Sequence, residues 1–396
     1  TTNWHQITAV ATGTTTTFFI DGVQVGVSPN RSSDTIFSIR AYQGGSQRFA
    51  QNLDEVYVYQ SALTPAQVQN LYSNGAAIMV MAPGNSIPDA SHVTVASGAV
   101  LDLNGISETM GPLSGGGTVT SGAAGAITMT IGTGNGSGNF SGFIENGSGT
   151  VSLTKVGTGT QILGGANTYG GATNIQNGVV RLAAGADRLP TTTTVTLGAG
   201  ATNSTLDLGG QNQALAGISA TTASRVVNSG VGTPSLTLNL ASGTTTFVGV
   251  LGNVGQNSFS LVKNLGGTLV LNGAHTFTGT TTINGGVLSI NADAALGTAP
   301  GAFVANQISI ANNASLTTTA GFTLNANRGI TLGTGGGTVN LTGGLTYAGL
   351  FAGGTGLTKS GTGDLVLTNA ATLSVPGNVN INAGRLFFPS QNTIGS

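Results

Sequence analysis

Along most of the chain, apolar residues come in short bursts that alternate with small polar ones, as in "TLVLNG" from Thr268 and "TTTINGGVLSI" from Thr280. A period of two puts alternate side chains on one side, and Val, Ile, Thr and Phe suit a pleated, half-buried strand. Asn-Gly, Gly-Gly and Ser-Gly pairs separate the bursts and supply the positive φ of tight turns. No segment past about residue 90 sustains a helical period. Many short strands broken by glycine turns are predicted there.

The bursts recur in larger blocks. "LTKVGTGTQILGGANTYGGATNIQNGVVRL" starts at Leu153, "LVKNLGGTLVLNGAHTFTGTTTINGGVLSI" at Leu261 and "LTKSGTGDLVLTNAATLSVPGNVNINAGRLFF" at Leu357. Lys155, Lys263 and Lys359 hold the same place in each copy, 108 and 96 residues apart, and Gly178, Gly286 and Gly384 recur near the copies' ends. Material between the copies repeats too: "LDLNG" from Leu101 matches "LDLGG" from Leu206, and "FSGFI", "FVGVL" and "YAGLF" precede the three lysines. Residues 91–396 are therefore read as three units, about 91–190, 191–300 and 301–396. Repetition on this scale predicts an all-β, right-handed parallel β-helix, in which each coil stacks on the last and buries a continuous core. Coils of roughly 20 residues would number about 15 and form a rod on the order of 70 Å long. A sandwich of antiparallel strands explains the alternation equally well, but not the repetition of whole blocks.

Residues 1–75 differ in composition and hold the single Trp and most of the Tyr. Asp21-Gly22 between "FFI" and "VQV" is a two-residue type I′ hairpin signal. Thr64-Pro65-Ala66-Gln67 reads as a capping box with Pro at the first helical position, so a short helix is expected to follow and to end near Gly75. Residues 76–90 are read as a linker.

The three lysine-centred copies resemble the passenger-associated β-strand repeat of bacterial autotransporters: L-x-K-x-G-x-G, a short apolar strand, then N-T-Y/F-x-G-x-T-x-I-x-x-G-x-L. Lys155 to Leu182 follows it throughout. In the second copy Leu265 replaces the first glycine and His275 the Asn before Thr-Phe; the third replaces Thr-Tyr-x-Gly with Thr372-Leu373-Ser374-Val375. Residues Trp4 to Tyr72, with "WHQI", "FIDG", "LDEVYVY" and "ALTPAQV", resemble the C-terminal half of a laminin-G-like, concanavalin A-like jelly roll. The first resemblance implies a β-helical part of a large secreted or surface-anchored protein, the second an antiparallel sandwich that Thr1 enters half-way. Ser396 likewise falls where a further unit is expected. Either the polypeptide continues, or copies join head to tail into a fibre.

Only 6% of the residues are charged and the net charge is −1, so no basic field is present to hold phosphates, and nucleic-acid binding is disfavoured. The chain has no Cys, which excludes disulfides and thiolate metal sites. The longest apolar run, Ala76 to Ala82, is far short of a membrane span. Low charge with abundant Thr and Asn points to an extracellular or cell-surface setting. Stability is expected to depend little on salt or pH.

A β-helix also suits polysaccharide lyases and hydrolases, which need paired carboxylates or calcium-binding acids. Past Pro88 the acids are Asp89, Asp102, Glu108, Glu145, Asp187, Asp207, Asp293 and Asp364. Asp102 and Asp207 are repeat-equivalent, with Thr317 in the third unit, so the repeat explains them. The lysines are repeat-equivalent too and are read as closing a coil edge. His92 and His275 have no metal-ligand partner at short spacing, and "GTGNGSG" from Gly132 lacks the context of a phosphate loop. In the N-terminal segment Asp54-Glu55 is a weak candidate for a metal, a structural Ca2+ in the jelly roll; no other cofactor is expected. Trp4 reads as core. The expected function is an adhesive and structural surface protein without catalysis, a rigid stalk or fibre segment carrying a laminin-G-like module. Its partners would be surface glycans or proteins, or further copies of itself. A carbohydrate-binding module on a repeat spacer and a polysaccharide-degrading β-helix are the alternatives.

Overall fold

The computed structural model describes residues 7–12, 14–29, 68, 78–80, 87–198, 204–252, 255, 257–368 and 373–389. The chain divides into two compact units, residues 1–82 and 83–396.

In the first unit three antiparallel strands, Ile7–Thr12, Thr15–Ile20 and Val23–Ser28, form a meander. Ile20 pairs with Val23, so the loop is Asp21-Gly22 alone, and both residues have positive φ, 51° and 77°. That is the type I′ geometry that matches strand twist, and Asp-Gly tolerates it best. Val10 and Phe19 bury themselves with Val68, a helical residue. The sheet fits part of a jelly roll. Trp4, Asp54, Glu55 and the capping box at Thr64–Gln67 lie outside the described residues. A short strand, Ile78–Val80, forms within the stretch read as a linker.

The second unit is a parallel β-solenoid with three faces. The first face carries eight strands from Val93–Val95 to Val250–Leu251, and four more from Phe322–Leu324 to Leu386–Phe387. Between them, irregular segments continue the ladder in part: the Thr276 amide donates to Leu251 O at 2.8 Å and the Thr298 amide to Phe277 O at 2.9 Å. The second face starts with Val100–Asp102, Thr118–Thr120 and Phe143–Ile144. It passes through two irregular rungs, residues 167–168 and 187–189, where Thr168 N donates to Ile144 O and Asp187 N to Asn212 O. Eight strands from Gln213–Leu215 to Leu373–Ser374 complete it. On the third face six strands, Glu108–Met110 to Gly217–Ala220, are continued by seven, Thr244–Phe247 to Asn378–Ile381.

Among the described residues every strand pair of this unit is parallel, and the antiparallel alternative survives only as one isolated bridge, Asn228 to Asn257. Strands alternate buried and half-exposed residues, as in Thr268–Leu271, so Leu, Ile, Val and Phe fill most of a continuous interior.

One expectation changes. Among the described residues the third face has thirteen rungs rather than the roughly 15 coils expected, and they span about 58 Å. The reason is coil length: register advances by 20 residues from Leu261 to Thr281 but by 27 from Thr281 to Ile308, the surplus forming outward loops. The repeat copies do not lie on one face. Lys155 and Lys359 lie at or next to the ends of strands on the third face, whereas Lys263 lies on the second, because 108 and 96 residues are different fractions of a circuit. The motif therefore specifies a corner, wherever on the prism that corner falls.

Candidate functional site

Each repeat lysine is almost wholly buried, with 1, 0 and 0% exposure for Lys155, Lys263 and Lys359. The chain turns a corner immediately after each one, and the ammonium group reaches back into that corner. Lys155 Nζ donates to the carbonyls of Val156, Gly157 and Asn177 at 2.6, 2.9 and 3.3 Å. Lys263 Nζ donates to Asn264, Leu265 and Gly285 at 2.9, 2.9 and 3.0 Å. Lys359 Nζ donates to Ser360, Gly361 and Ala383 at 2.8, 2.9 and 2.9 Å. An ammonium has three protons and no acceptor; each clasp supplies three carbonyls, two from its own corner and one from the next coil. Among the described residues no carboxylate comes within ion-pair distance of these groups. Burial pulls Lys155 and Lys263 down to about 8, and lowers Lys359 as well, with Asp364 opposing the shift. Lys155 and Lys263 therefore remain mainly protonated at neutral pH, and the three carbonyls around each nitrogen, Lys359 included, call for an ammonium donor.

The corner geometry dictates the glycines. The second residue after each lysine, Gly157, Leu265 or Gly361, has φ of 66°, 63° or 74°, which turns its carbonyl inward to Nζ. Gly178, Gly286 and Gly384 stack on these corners from the following coil with φ of 68°, 63° and 64°. A Cβ would lie 2.5 Å from the carbonyl oxygens of Gly157 and Gly159 at Gly178, 2.2 Å from that of Gly267 at Gly286, and 2.5 Å from that of Gly363 at Gly384. Both conformation and space exclude a side chain. Leu265 is the exception among the corner residues, a non-glycine in the left-handed region that costs about 1–2 kcal/mol.

A second bridge lies further along the motif. Asn167 accepts the Ile144 amide at 2.8 Å from the coil before and donates to Arg188 O at 2.6 Å in the coil after. His275 replaces it in the second copy. Its Nδ1 accepts the Leu251 amide at 3.2 Å, so Nε2 carries the proton, and among the described residues Nε2 finds no acceptor. Burial pushes the His275 pKa down to about 4.

The candidate acids serve turns. Asp102 Oδ1 accepts the amides of Asn104 and Gly122 at 2.8 and 2.6 Å; Asp207 Oδ1 accepts those of Gly209 and Ser229, both at 2.9 Å. Each carboxylate thus ties its own turn to the next coil, and the fold does not bring the two together. His92 meets Ser114 Oγ at 2.7 Å on the surface. Among the described residues no group of three or more His, Asp and Glu gathers; Asp54 and Glu55 lie outside them.

Sequence reading missed a buried Arg328. Its Nε and Nη2 donate to the Asp293 carboxylate at 3.0 and 3.2 Å, and Nη1 and Nη2 to Leu296 O and Gly297 O at 3.0 and 2.6 Å. Tyr347 donates to Arg328 O at 2.6 Å. The group ties the short 3-10 turn Asp293–Leu296 to the coil above. Neither residue recurs in the other copies, so the repeat carried no signal of the pair.

These corners define a class: a parallel β-solenoid whose coils are closed by recurrent lysine-centred repeats. The passenger-associated-transport-repeat family matches residues 153–182, 261–290 and 357–386, the stretches that hold the clasps. The concanavalin A-like lectin/glucanases superfamily matches residues 1–69. The chain is 28% identical over 307 residues to the adhesin BmaC autotransporter of Brucella suis biovar 1 (strain 1330), an alignment covering 74% of this chain and 9% of that protein. No solved structure matches. The repeats and the similarity support a passenger-type autotransporter sequence, and they point to the bacterial surface or the extracellular space.

Replacing Lys263 with Met keeps the aliphatic stem but strands three carbonyls. We expect a loss of about 3 kcal/mol, read as roughly hundredfold faster amide exchange in the coils around residues 260–290, with the first copy unaffected. Exchange unchanged in those coils would contradict the clasp.

His275 makes the expected insensitivity to pH too simple. Its folded pKa of about 4 lies below the ordinary 6.5, so between those values the unfolded chain binds the proton and the folded chain does not. Stability is then full above pH 6.5 and falls by about 3 kcal/mol as pH drops to 4. His275→Asn is expected to flatten that window in an unfolding series across pH.

Proposed function

We propose that this chain is a rigid adhesive segment of a surface protein, a solenoid stalk that carries a laminin-G-like module and performs no catalysis. The observation that carries the reading is the use of charge. Lys155, Lys263 and Lys359 are spent on backbone carbonyls, and Asp102 and Asp207 on turn amides, while the regular outer faces present Thr, Ser and Asn. Such a body offers length and a repeating surface. The similarity to an adhesin, which extends over 9% of that protein, supports the same reading. It needs no resident cofactor, and its partners are surface glycans or proteins.

No helix among the described residues is long and apolar enough to cross a membrane.

Beads coated with the 396-residue chain are expected to adhere to epithelial monolayers several-fold better than beads coated with an inert protein. Adhesion equal to the control would contradict the role. Depolymerisation of a polyuronate or a β-glucan by the chain, abolished by changing one acid, would show an enzyme instead.

A further inference from the structure

The corner between the second and third faces bears a groove that the clasps do not explain. It has a volume of about 640 Å3 and is lined by Thr191, Thr192, Asn239, Asn264, Leu265 and Asn284 among others. These residues come from successive coils, with Ala216 between the threonines and Asn239, so the groove follows the rod axis over five turns, about 19 Å. Among the described residues no charged side chain lines it.

Three observations converge there. Asn264 Nδ2 donates to Asn239 Oδ1 at 3.0 Å, and Asn284 Nδ2 to Asn264 Oδ1 at 3.0 Å. A primary amide has two N–H groups and two lone pairs, so the central Asn264 retains one of each after joining its neighbours. The stack thus repeats a donor and an acceptor at the coil spacing. Leu265 stands beside it, 52% exposed, in the left-handed conformation where the other two copies place Gly157 and Gly361. Strain held by a non-glycine residue is stored where surrounding structure or function requires it. Nothing in the clasp requires it, because Leu265 contributes only its carbonyl to Lys263 and a glycine serves equally. The middle copy also differs at the position after the lysine, where Asn264 replaces Val156 and Ser360. Strain, apolar surface and the amide stack therefore coincide at one corner of one copy.

We infer that this groove is a binding subsite for a neutral oligosaccharide lying along the rod. Amides in register pair with vicinal hydroxyls as donor and acceptor at once, and the Leu265 side chain offers the apolar surface on which the C–H face of a sugar ring rests. The lack of lining charge selects against uronates and sialylated chains, which would enter without a counter-charge. The subsite rests on the adhesive reading and relocates glycan recognition from the jelly roll to the solenoid.

The test uses the intact chain with cello-, laminari- and chitohexaose as probes, and oligogalacturonate as the charged control. Leu265→Gly separates binding from folding because the two effects have opposite signs. The variant is expected to melt at or above the parent temperature, since glycine relieves the left-handed strain, yet to bind at least one neutral hexasaccharide about tenfold more weakly. Asn264→Ala is expected to weaken the same complex, and the acidic oligomer not to bind. Unchanged affinity in Leu265→Gly overturns the subsite. So does the absence of neutral hexasaccharide binding at millimolar concentration. In that case bead adhesion by the same preparation tells the two failures apart: adhesion retained leaves the adhesive role standing, and adhesion lost removes both.

Discussion

The structure depends on one constraint. In a parallel solenoid the backbone groups of each strand are satisfied only by the coils before and after, so every corner must return the chain in register and leave no carbonyl stranded in the interior. Faces meet that requirement through their ladders. Corners cannot, because the chain turns there and its carbonyls splay inward. A buried ammonium resolves the conflict at three of them by supplying three donors at one point. The hydrogen bonds to the charged group are of the stronger kind, which offsets the cost of burying a charge without a carboxylate partner. The glycines at Gly178, Gly286 and Gly384 follow from the same constraint, since the next coil must approach the clasp to within backbone contact.

Much of this was legible in the residues. Period-two bursts fix strands and the buried side, and Asp21-Gly22 fixes the first hairpin, because those signals depend only on local sterics. Three lysines at equivalent places in a chain with few charges marked the corners as special. What they do there was legible only as closure of a coil edge, since the carbonyl from the next coil lies 22 to 24 residues away and belongs to register.

Register also explains the misses. Loop lengths differ between coils, so counting at an even period overestimated their number. Arg328 and Asp293 lie 35 residues apart, outside any motif, and only stacking brings them together. His275 read as an isolated histidine, yet its position is that of Asn167, a bridge between coils that the ring makes on one side only. The pH dependence is therefore a consequence of one substitution within the repeat. Leu265 stood out in the sequence as a departure from the motif; the strain attached to it is visible only as a backbone angle.

The central claim is that the rod's corners are held by protonated, fully coordinated lysines. Nitrogen-15 lysine-selective NMR near neutral pH tests it most directly. The account predicts three ammonium resonances, from Lys155, Lys263 and Lys359, whose protons exchange slowly with water and couple across hydrogen bonds to carbonyl carbons. Lysine side chains that all exchange rapidly, as in free solution, would contradict it.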